Sequence, residues 1–343
     1  MKDILIIDDS ALMRSVLTDI VQSDNDFKVS GIAKDGLEAL ELLANNKYDG
    51  ILLDINMPHM NGIEFLEFLK KHERKENILV VSTDTVEGAE VTIKALELGA
   101  FDFLRKPDVA IEMKASEYKK ELLDKVRAMT DKKDKSASRR ATVTKAKATQ
   151  KGLKRIVVIA SSTGGPAVLR NVIPGIDKNS KVPILIVQHM PQGFTKSFAD
   201  RLSTMSAISV IEADNEQLIE PGNIYIARGG KHLKYQPKGK WGSLVYGDEP
   251  PREGVKPCAN YLFESLIDSD YDEIICIVLT GMGQDGTEGI YKLSQTKNCR
   301  VIIQDPESCV VYGMPKAINN KGLVNEVLGI DEMANRINEL IAL

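Results

Sequence analysis

The chain has 343 residues, 43% of them hydrophobic and 27% charged, and its formal net charge is −4. This length predicts about two domains, and the small negative charge gives no general attraction to nucleic acid. The longest apolar runs, such as 274–279, fall far short of the roughly 18 residues that a membrane-spanning helix needs. Asp8 and Asp9 directly follow the first apolar run, which excludes a signal peptide there. We therefore expect a cytoplasmic protein without membrane insertion.

Five apolar runs alternate with amphipathic segments in the first 130 residues. The amphipathic segments predict helices, the last of them at 114–129. The apolar runs predict strands at 4–7, 29–33, 51–53, 78–81 and 101–104. Strands that are each followed by a helix are typical of a parallel sheet covered on both faces. We therefore predict a doubly wound α/β domain whose strands end at one common edge.

Polar residues stand at the ends of these predicted strands. Asp8 and Asp9 follow the first strand and Asp54 ends the third, so three carboxylates converge where hard oxygen ligands suit Mg²⁺. One carboxylate would then be available to attack phosphorus and form an acyl phosphate. Lys106 would pair with the transferred phosphoryl group, and the Ser82 hydroxyl would bond to one of its oxygens. Each residue alone is equally well explained as a cap, a turn former or a solvated side chain, but their order favours a site.

The motifs IIDDS, LLDINMPHMNG, VVST and FLRKP, in this order, resemble the receiver domains of response regulators over residues 1–125. The resemblance implies a flavodoxin-like fold with strand order 2-1-3-4-5. It also implies that Asp54 is the phosphoacceptor and that Mg²⁺ binds Asp8, Asp9, Asp54 and the Asn56 carbonyl. The residues that would sense the phosphoryl group are Ser82, Phe103 and Lys106.

A basic linker is predicted at 126–153. Residues 131–152 contain eight Lys or Arg against two Asp and almost no large apolar side chain. Such a segment cannot bury enough surface to offset its ordering entropy, so we predict a mobile connector. It has no aromatic residues and no helix that could recognise base edges, which argues against nucleic acid as a partner.

The stretch RIVVIASSTGGP, residues 155–166, predicts a buried strand that stops at a tight turn opening a helix. Such a turn presents a hydroxyl and unpaired N–H groups at the carboxyl edge of a sheet, where ligands bind in doubly wound folds. Ser162 is therefore a candidate nucleophile, with a phosphate cradle or a plain turn as the alternatives. Further strands are predicted at 183–187, 223–227, 274–279 and 301–304, which indicates a second parallel-sheet domain.

His189 and Asp285 each follow one of these strands. A serine nucleophile needs a base, and a histidine base needs a third group to hold its tautomer, so Ser162, His189 and Asp285 supply the three types. Turn amides near 163–165 and 281–283 are candidate oxyanion donors. The order of the three residues and the missing GxSxG motif exclude the α/β-hydrolase fold. On the residues alone, alternatives stay open: His232 as the histidine, and Asp270, Asp272 or Asp305 as the acid.

The motifs ASSTGGP, QHMPQGFTKSFADRL, NIYIARGGKHL, LTGMGQDGTEG and QDPESCVVYGMP resemble, in this order, the methylesterase domain of the CheB family of chemotaxis response regulators, over residues 154–343. The resemblance implies a Rossmann-like domain with Ser162 as nucleophile, His189 as base and Asp285 as orienting acid. It implies the Met282 amide as an oxyanion donor, beside the Thr163 amide of the turn. The chain departs from the family in Ser161, a rival nucleophile by type, and in Arg228, where proline is usual.

This resemblance implies hydrolysis of glutamate γ-methyl esters on chemoreceptor helices, with release of methanol, and deamidation of receptor glutamines. It implies a chemotaxis histidine kinase as phosphodonor, Mg²⁺ in the receiver, and no cofactor for the ester chemistry. The unphosphorylated receiver would pack against the second domain and limit access to Ser162, and phosphorylation would weaken that packing. The alternatives are a receiver-controlled nucleotide-binding module, which would lack a G-x-G-x-x-G pattern, and a DNA-binding regulator, which only the linker supports.

Overall fold

The computed structural model describes residues 1–82, 86–106, 116–131 and 152–342. The chain divides into two compact units, Met1–Lys133 and Asp134–Leu343. The greater part of the predicted linker, residues 132–151, lies outside the described residues.

In the described part of the first unit, five strands alternate with five helices. They are β1 Lys2–Ile7, α1 Ala11–Gln22, β2 Phe27–Ala33, α2 Gly36–Asn45, β3 Gly50–Asp54, α3 Gly62–Lys71, β4 Ile78–Ser82, α4 Val86–Glu97, β5 Asp102–Arg105 and α5 Ser116–Thr130. The strands are parallel in the order β2-β1-β3-β4-β5, which confirms the predicted topology. The end of β3 therefore lies between the ends of β1 and β4, so Asp54 is central at the carboxyl edge.

Helix α5 continues past residue 125, where the first domain was predicted to end. Its side chains Leu122, Val126 and Met129 are buried in the core of the first unit, together with residues of β1 and α1. The last turn of the helix is thus held by the hydrophobic burial of its inner face. The predicted helix start at residue 114 lies outside the described residues.

In the described part of the second unit, a seven-stranded sheet is surrounded by helices. The elements of this unit are β6 Arg155–Ser161, α6 Gly165–Val172, β7 Ile184–Gln188, α7 Phe194–Met205, β8 Ser209–Glu212, β9 Gln217–Leu218, β10 Asn223–Ile226, β11 His232–Gln236, β12 Ser243–Gly247, α8 Ala259–Ser265, β13 Glu273–Val278, α9 Thr287–Ser294, β14 Cys299–Gln304, α10 Met314–Asn320, β15 Glu326–Leu328 and α11 Ile330–Ile341. Of these strands, β9, β11 and β12 form a separate antiparallel sheet, and the other seven form the main sheet. The sheet is parallel in the order β15-β14-β13-β6-β7-β10-β8. This arrangement confirms the prediction of a second parallel-sheet α/β domain.

The strands that carry the candidate catalytic residues are neighbours at the centre of this sheet. β6 lies between β13 and β7, and every residue of these three strands is buried. Burial on both faces explains why each strand reads as a continuous apolar run rather than as an alternating one. The ends of β6, β7 and β13 therefore meet at one edge of the sheet.

A row of alternating charges crosses the amino ends of β6, β13, β14 and β15. Arg155 Nε lies 2.7 Å from Glu273 Oε2, and Arg300 Nε lies 3.1 Å from Glu273 Oε1. The row continues through Glu326, which contacts Arg300 at 3.2 Å and Arg336 of α11 at 2.6 Å. Arg155 and Glu273 are 1% and 4% exposed, so these charges are balanced within the protein rather than by water.

Candidate active site

The first unit gathers three carboxylates and a lysine at its carboxyl edge. Oxygens of Asp8, Asp9 and Asp54 lie within 4.8 Å of one another. Lys106 Nζ is 2.8 Å from Asp8 Oδ2 and 2.7 Å from Asp54 Oδ2. Burial raises the pKa of the Asp54 carboxyl, the Lys106 ammonium opposes this rise, and the Asp8 carboxylate adds to it. The predicted convergence of these side chains is therefore present.

The donor set of this edge fits a hard divalent cation. Three carboxylates are close enough to share one ion, and oxygen ligands of this kind suit Mg²⁺. Asp8 Oδ2 is buried and lies 2.8 Å from the Lys106 ammonium, so a cation bound here would share this oxygen with Lys106. Asn56 lies in the connection between β3 and α3, two positions after Asp54.

The Ser82 hydroxyl at the end of β4 has a hydrogen-bond partner. It accepts a hydrogen bond of 2.8 Å from Thr92 Oγ1 on α4, and both residues are buried. Phe103 is buried on β5, opposite Val80 of β4. The sequence analysis missed Thr92, because a threonine inside an amphipathic helix carries no signal that it faces a strand end.

In the second unit, β6 ends in a tight turn at Ser162. The Ser162 amide donates to the Thr280 carbonyl at 3.0 Å, and the Gly165 amide donates to the Ser162 carbonyl at 2.7 Å. Gly164 has φ of 76°, a left-handed conformation that suits glycine. Gly281 approaches closely from the other side, because a Cβ there would lie 2.7 Å from Ser162 Cβ. The nucleophile candidate is thus held between two glycine-containing loops.

His189 and Asp285 form a hydrogen-bonded pair. His189 Nε2 lies 2.7 Å from Asp285 Oδ2, and the His189 side chain is 10% exposed. Within residues 152–342 no hydrogen bond joins His189 to the Ser162 hydroxyl, although the two residues follow the neighbouring strands β6 and β7. Such contacts are often long without substrate and shorten in the reacting complex.

Asp285 is surrounded by donors. Its oxygens accept from the backbone amides of Ala259 at 2.6 Å, Asn260 at 2.9 Å and Gly286 at 2.8 Å. The Cys258 thiol donates to it at 3.0 Å. Burial opposes ionisation, but the His189 ring and these donors outweigh it and lower the pKa of Asp285 to about 2. The carboxylate is therefore ionised and fixed in place.

Two backbone amides near Ser162 make no hydrogen bond to the described part of the second unit. Within residues 152–342, neither the Thr163 N–H nor the Met282 N–H donates a hydrogen bond. Backbone donors left without a partner are rare in folded proteins, so these two are available to an oxyanion. Both were named as oxyanion candidates from the sequence.

The rival candidates have other contacts. Ser161 is fully buried, and its hydroxyl donates to Gln188 Oε1 at 2.7 Å. His232 lies between the Pro250 carbonyl and the Cys258 amide, and burial lowers its pKa, so it links two loops as a neutral ring. Asp270 pairs with Lys154 and is exposed. Of the alternative acids left open, Asp272 accepts from the Lys154 amide and Asp305 accepts from Ser308.

Arg228 is accommodated by two carboxylates. Its Nε lies 3.1 Å from Glu212 Oε2, and its NH2 atom lies 2.7 Å from Asp214 Oδ1. The guanidinium also packs on the Tyr246 ring, 5.6 Å from its centroid. The charge that this departure introduces is therefore balanced locally, next to β8 at the edge of the sheet.

Several site residues were missed by sequence reasoning. Cys258 and Asn260 contact Asp285 from a segment more than twenty positions earlier in the chain, and neither belongs to a periodic pattern. Gln188 did leave a signal, since it is a polar residue at the end of the apolar run 184–187, directly before His189.

No helix in the described parts of the chain has both the length and the apolar character needed to cross a bilayer.

Comparison with known proteins yields matches over both units. The CheB methylesterase family model matches residues 157–337, and the model of the response regulator receiver domain matches residues 4–116. A protein-glutamate methylesterase/protein-glutamine glutaminase of Thermotoga maritima is 39% identical over 339 residues, 98% of each chain. One of the same name from Halalkalibacterium halodurans is 40% identical over 97% of this chain and 96% of its own. The crystal structure of the Thermotoga maritima CheB methylesterase catalytic domain, 38% identical, superposes with a TM-score of 0.52 and covers 54% of this chain and 98% of that domain.

The fold and the site define a class of protein, a response regulator whose output unit is an α/β enzyme. More narrowly, the chain belongs to the CheB methylesterase family, at nearly full length.

Proposed function

We propose that this chain hydrolyses glutamate γ-methyl esters on chemoreceptor helices and deamidates receptor glutamines. The observation that supports this most directly is the bond between His189 and Asp285 at the strand end next to Ser162. A hydroxyl, an imidazole and a carboxylate in this arrangement suit acyl transfer, and both reactions attack a γ-carbonyl.

The geometry suggests the role of each ring nitrogen. Because Asp285 accepts the hydrogen of His189 Nε2, the neutral ring has its lone pair on Nδ1. Nδ1 takes the proton of Ser162 as Oγ bonds to the carbonyl carbon of the ester or amide, and the carbonyl oxygen becomes an oxyanion that the Thr163 and Met282 amides stabilise. The ring then gives this proton to the methoxy oxygen or the amide nitrogen as its bond to the carbonyl carbon breaks, so that methanol or ammonia leaves and an acyl-enzyme remains. Water adds to the acyl-enzyme by the reverse path and releases glutamate.

The first unit acts as the switch in this proposal. Asp54 accepts the phosphoryl group, Lys106 pairs with it, and Ser82 and Phe103 respond to it. A Mg²⁺ ion would be held by Asp8, Asp9, Asp54 and the Asn56 carbonyl, and it would supply charge neutralisation during phosphoryl transfer. The ester chemistry itself needs only protein groups.

The organisation and partners follow from the same proposal. We infer a receiver domain, a basic connector that begins after α5, and a catalytic domain from residue 154. A chemotaxis histidine kinase supplies the phosphoryl group, and the cytoplasmic helices of methyl-accepting receptors are the substrate. The protein acts in the cytoplasm and does not require nucleic acid.

Replacement of the nucleophile tests this proposal. The full chain and its Ser162→Ala variant are incubated with radiomethylated receptor, and released methanol is counted. We expect Ser162→Ala to lose at least roughly 10³-fold in rate, while Ser161→Ala retains most activity. Full activity of Ser162→Ala would refute the assignment.

Labelling separates this function from the two other classes. A serine-directed phosphonate should attach to Ser162, which neither a nucleotide-binding module nor a DNA-binding regulator would require. Retention on DNA that falls steeply with salt would instead favour the regulator.

A further inference from the structure

The Gln188 carboxamide lies between the candidate nucleophile and the candidate base. Its Oε1 accepts from Ser161 Oγ at 2.7 Å. Its Nε2 donates to the Ser162 carbonyl and to the His189 carbonyl, at 3.0 Å each. Gln188 is 1% exposed, so these bonds are shielded from water. One buried side chain is therefore bonded to the backbone of two members of the proposed triad.

The orientation of this amide is determined by its partners. Both N–H groups of Nε2 are needed for the two carbonyls, and Oε1 takes the hydroxyl of Ser161. The flipped amide would place Oε1 against two carbonyl oxygens, which repel it. The Ser162 and His189 carbonyls thus set the orientation of Gln188, and the Ser161 hydroxyl, which can donate or accept, donates to Oε1 in that orientation.

The backbone bonding between the two segments ends just before these residues. The last such bond runs from the His189 amide to the Ser161 carbonyl, at 3.0 Å. After it the chain at Ser162 turns into α6, and the chain at His189 enters the connection to α7. Beyond this point, the Gln188 side chain connects the two segments by donating to the Ser162 carbonyl and to the His189 carbonyl.

The Gln188 carboxamide also lies very close to Gly165. A Cβ at Gly165 would lie 2.1 Å from Gln188 Oε1 and 2.9 Å from Ser161 Cβ. The second glycine of the STGG turn is therefore required by the approach of the carboxamide, whereas Gly164 is required by its left-handed backbone.

We propose that Gln188 is a positioning residue that sets the separation of Ser162 and His189. The inference rests on the proposed function, since it assumes that these two residues react together. A misplacement of about 1 Å in a catalytic group can cost roughly 10²-fold in rate. Loss of the amide should therefore slow activation of Ser162 without changing receptor binding or the bond between His189 and Asp285.

The test measures the rate at which a serine-directed phosphonate labels Ser162 in the full chain. We expect Gln188→Leu, which keeps the shape and removes all three bonds, to lower this rate about 10- to 100-fold at every pH. The pH at which the rate is half-maximal should not change, and affinity for the receptor should stay constant. Gln188→Asn, which is one methylene shorter, should also be slow, and it provides a second variant if Gln188→Leu does not fold.

Asn338 offers a matched control. Its side-chain amide also joins two backbone groups, the Gly175 carbonyl at 2.7 Å and the Asp177 amide at 2.9 Å, but on α11. Asn338→Leu should label at the wild-type rate. If folded Gln188→Leu and Gln188→Asn were labelled at the wild-type rate, the inference about Gln188 would be wrong while the proposed function would still stand. A shift in the pH of half-maximal labelling would also contradict the inference. Absence of labelling in the wild type would instead refute Ser162 as the nucleophile.

Discussion

Asp285 illustrates how one residue acquires its properties from its surroundings. Its carboxylate accepts from the backbone amides of Ala259, Asn260 and Gly286 and from the His189 ring. These contacts hold its pKa at about 2 despite burial. The carboxylate is therefore charged at neutral pH and remains an acceptor for the His189 ring.

The contribution of Asp285 to the reaction rate can be measured with the isosteric variant Asp285→Asn. Asp285→Asn cannot accept the Nε2 hydrogen in the same way, so it favours the wrong tautomer of His189. We expect methanol release to fall roughly 10³- to 10⁴-fold, because the ring then presents a hydrogen instead of a lone pair to Ser162. Asp270→Asn, which alters an exposed acid paired with Lys154, is the control and should be fully active. Retention of more than a tenth of the activity by Asp285→Asn would contradict the role.

The same pKa predicts a pH dependence of stability. A carboxyl whose pKa is lower in the folded state stabilises the fold above its unfolded pKa, and this contribution is lost as the pH falls through the folded pKa. For Asp285 the window runs from about 4 down to about 2, and the contribution is about 2 kcal/mol. The difference in unfolding free energy between wild type and Asp285→Asn should shrink across that window. The single tryptophan, Trp241, reports unfolding of the second unit by fluorescence. A constant difference would show that Asp285 is not the group responsible.

At the scale of elements, the buried parallel strands could be predicted from the sequence, and the short antiparallel ones could not. Residues of β6, β7 and β13 form continuous apolar runs because both faces are covered. By contrast, β9, β11 and β12 form a small antiparallel sheet with polar and apolar residues and no long periodic run. Its strands depend on long-range pairing, which local sequence does not encode.

Prediction of the candidate active site from the sequence has the same limit, since contacts that depend on tertiary packing are not encoded locally. The apolar runs of the sequence are enough to predict that Ser162, His189 and Asp285 follow strands of one sheet. Several groups that hold Asp285 come from the first turn of α8 and from Cys258 directly before it, and neither Cys258 nor Asn260 has a spacing relation to Asp285. Contacts that depend on how a loop packs are determined by the tertiary fold, so they were not predictable.

The row of charges at the amino ends of the central strands should contribute to the stability of the second unit. Glu273 lies between Arg155 and Arg300, and it is 4% exposed. Glu273→Gln removes the buried charge that balances both, so we expect a loss of about 3–5 kcal/mol in unfolding free energy. Denaturant titration followed by Trp241 fluorescence measures it.

The matched control for this change is Glu339→Gln. Glu339 also pairs with an arginine, Arg336, but it is 64% exposed, so its loss should cost less than about 1 kcal/mol. Because the row lies at the opposite end of the strands from Ser162, the folded Glu273→Gln variant should hydrolyse ester at the wild-type rate. Equal stability losses in the two variants would contradict the importance of burial.

At the scale of the whole molecule, two chemistries with different requirements occupy one chain. The first unit presents oxygen ligands suited to a divalent cation, whereas the second presents the hydroxyl, imidazole and carboxylate of the acyl-transfer reaction that we propose to be independent of metal. Removal of Mg²⁺ should therefore abolish activation through the first unit and leave the basal hydrolysis by the second unit unchanged. A single substitution in the second unit cannot produce this result.

Chelation tests this separation directly. With a small phosphodonor and Mg²⁺, methanol release from radiomethylated receptor should rise above the basal rate; with a chelator it should return to the basal rate and fall no further. Asp54→Asn should behave like the chelated wild type under all conditions, because it lacks the attacking carboxylate. Asp24→Asn, which alters an ion pair with Arg127 at the amino end of the first unit's sheet, should keep the full response. If chelation lowered the basal rate of Asp54→Asn as well, the cation would be acting on the hydrolytic chemistry, and the division of labour between the two units would be wrong.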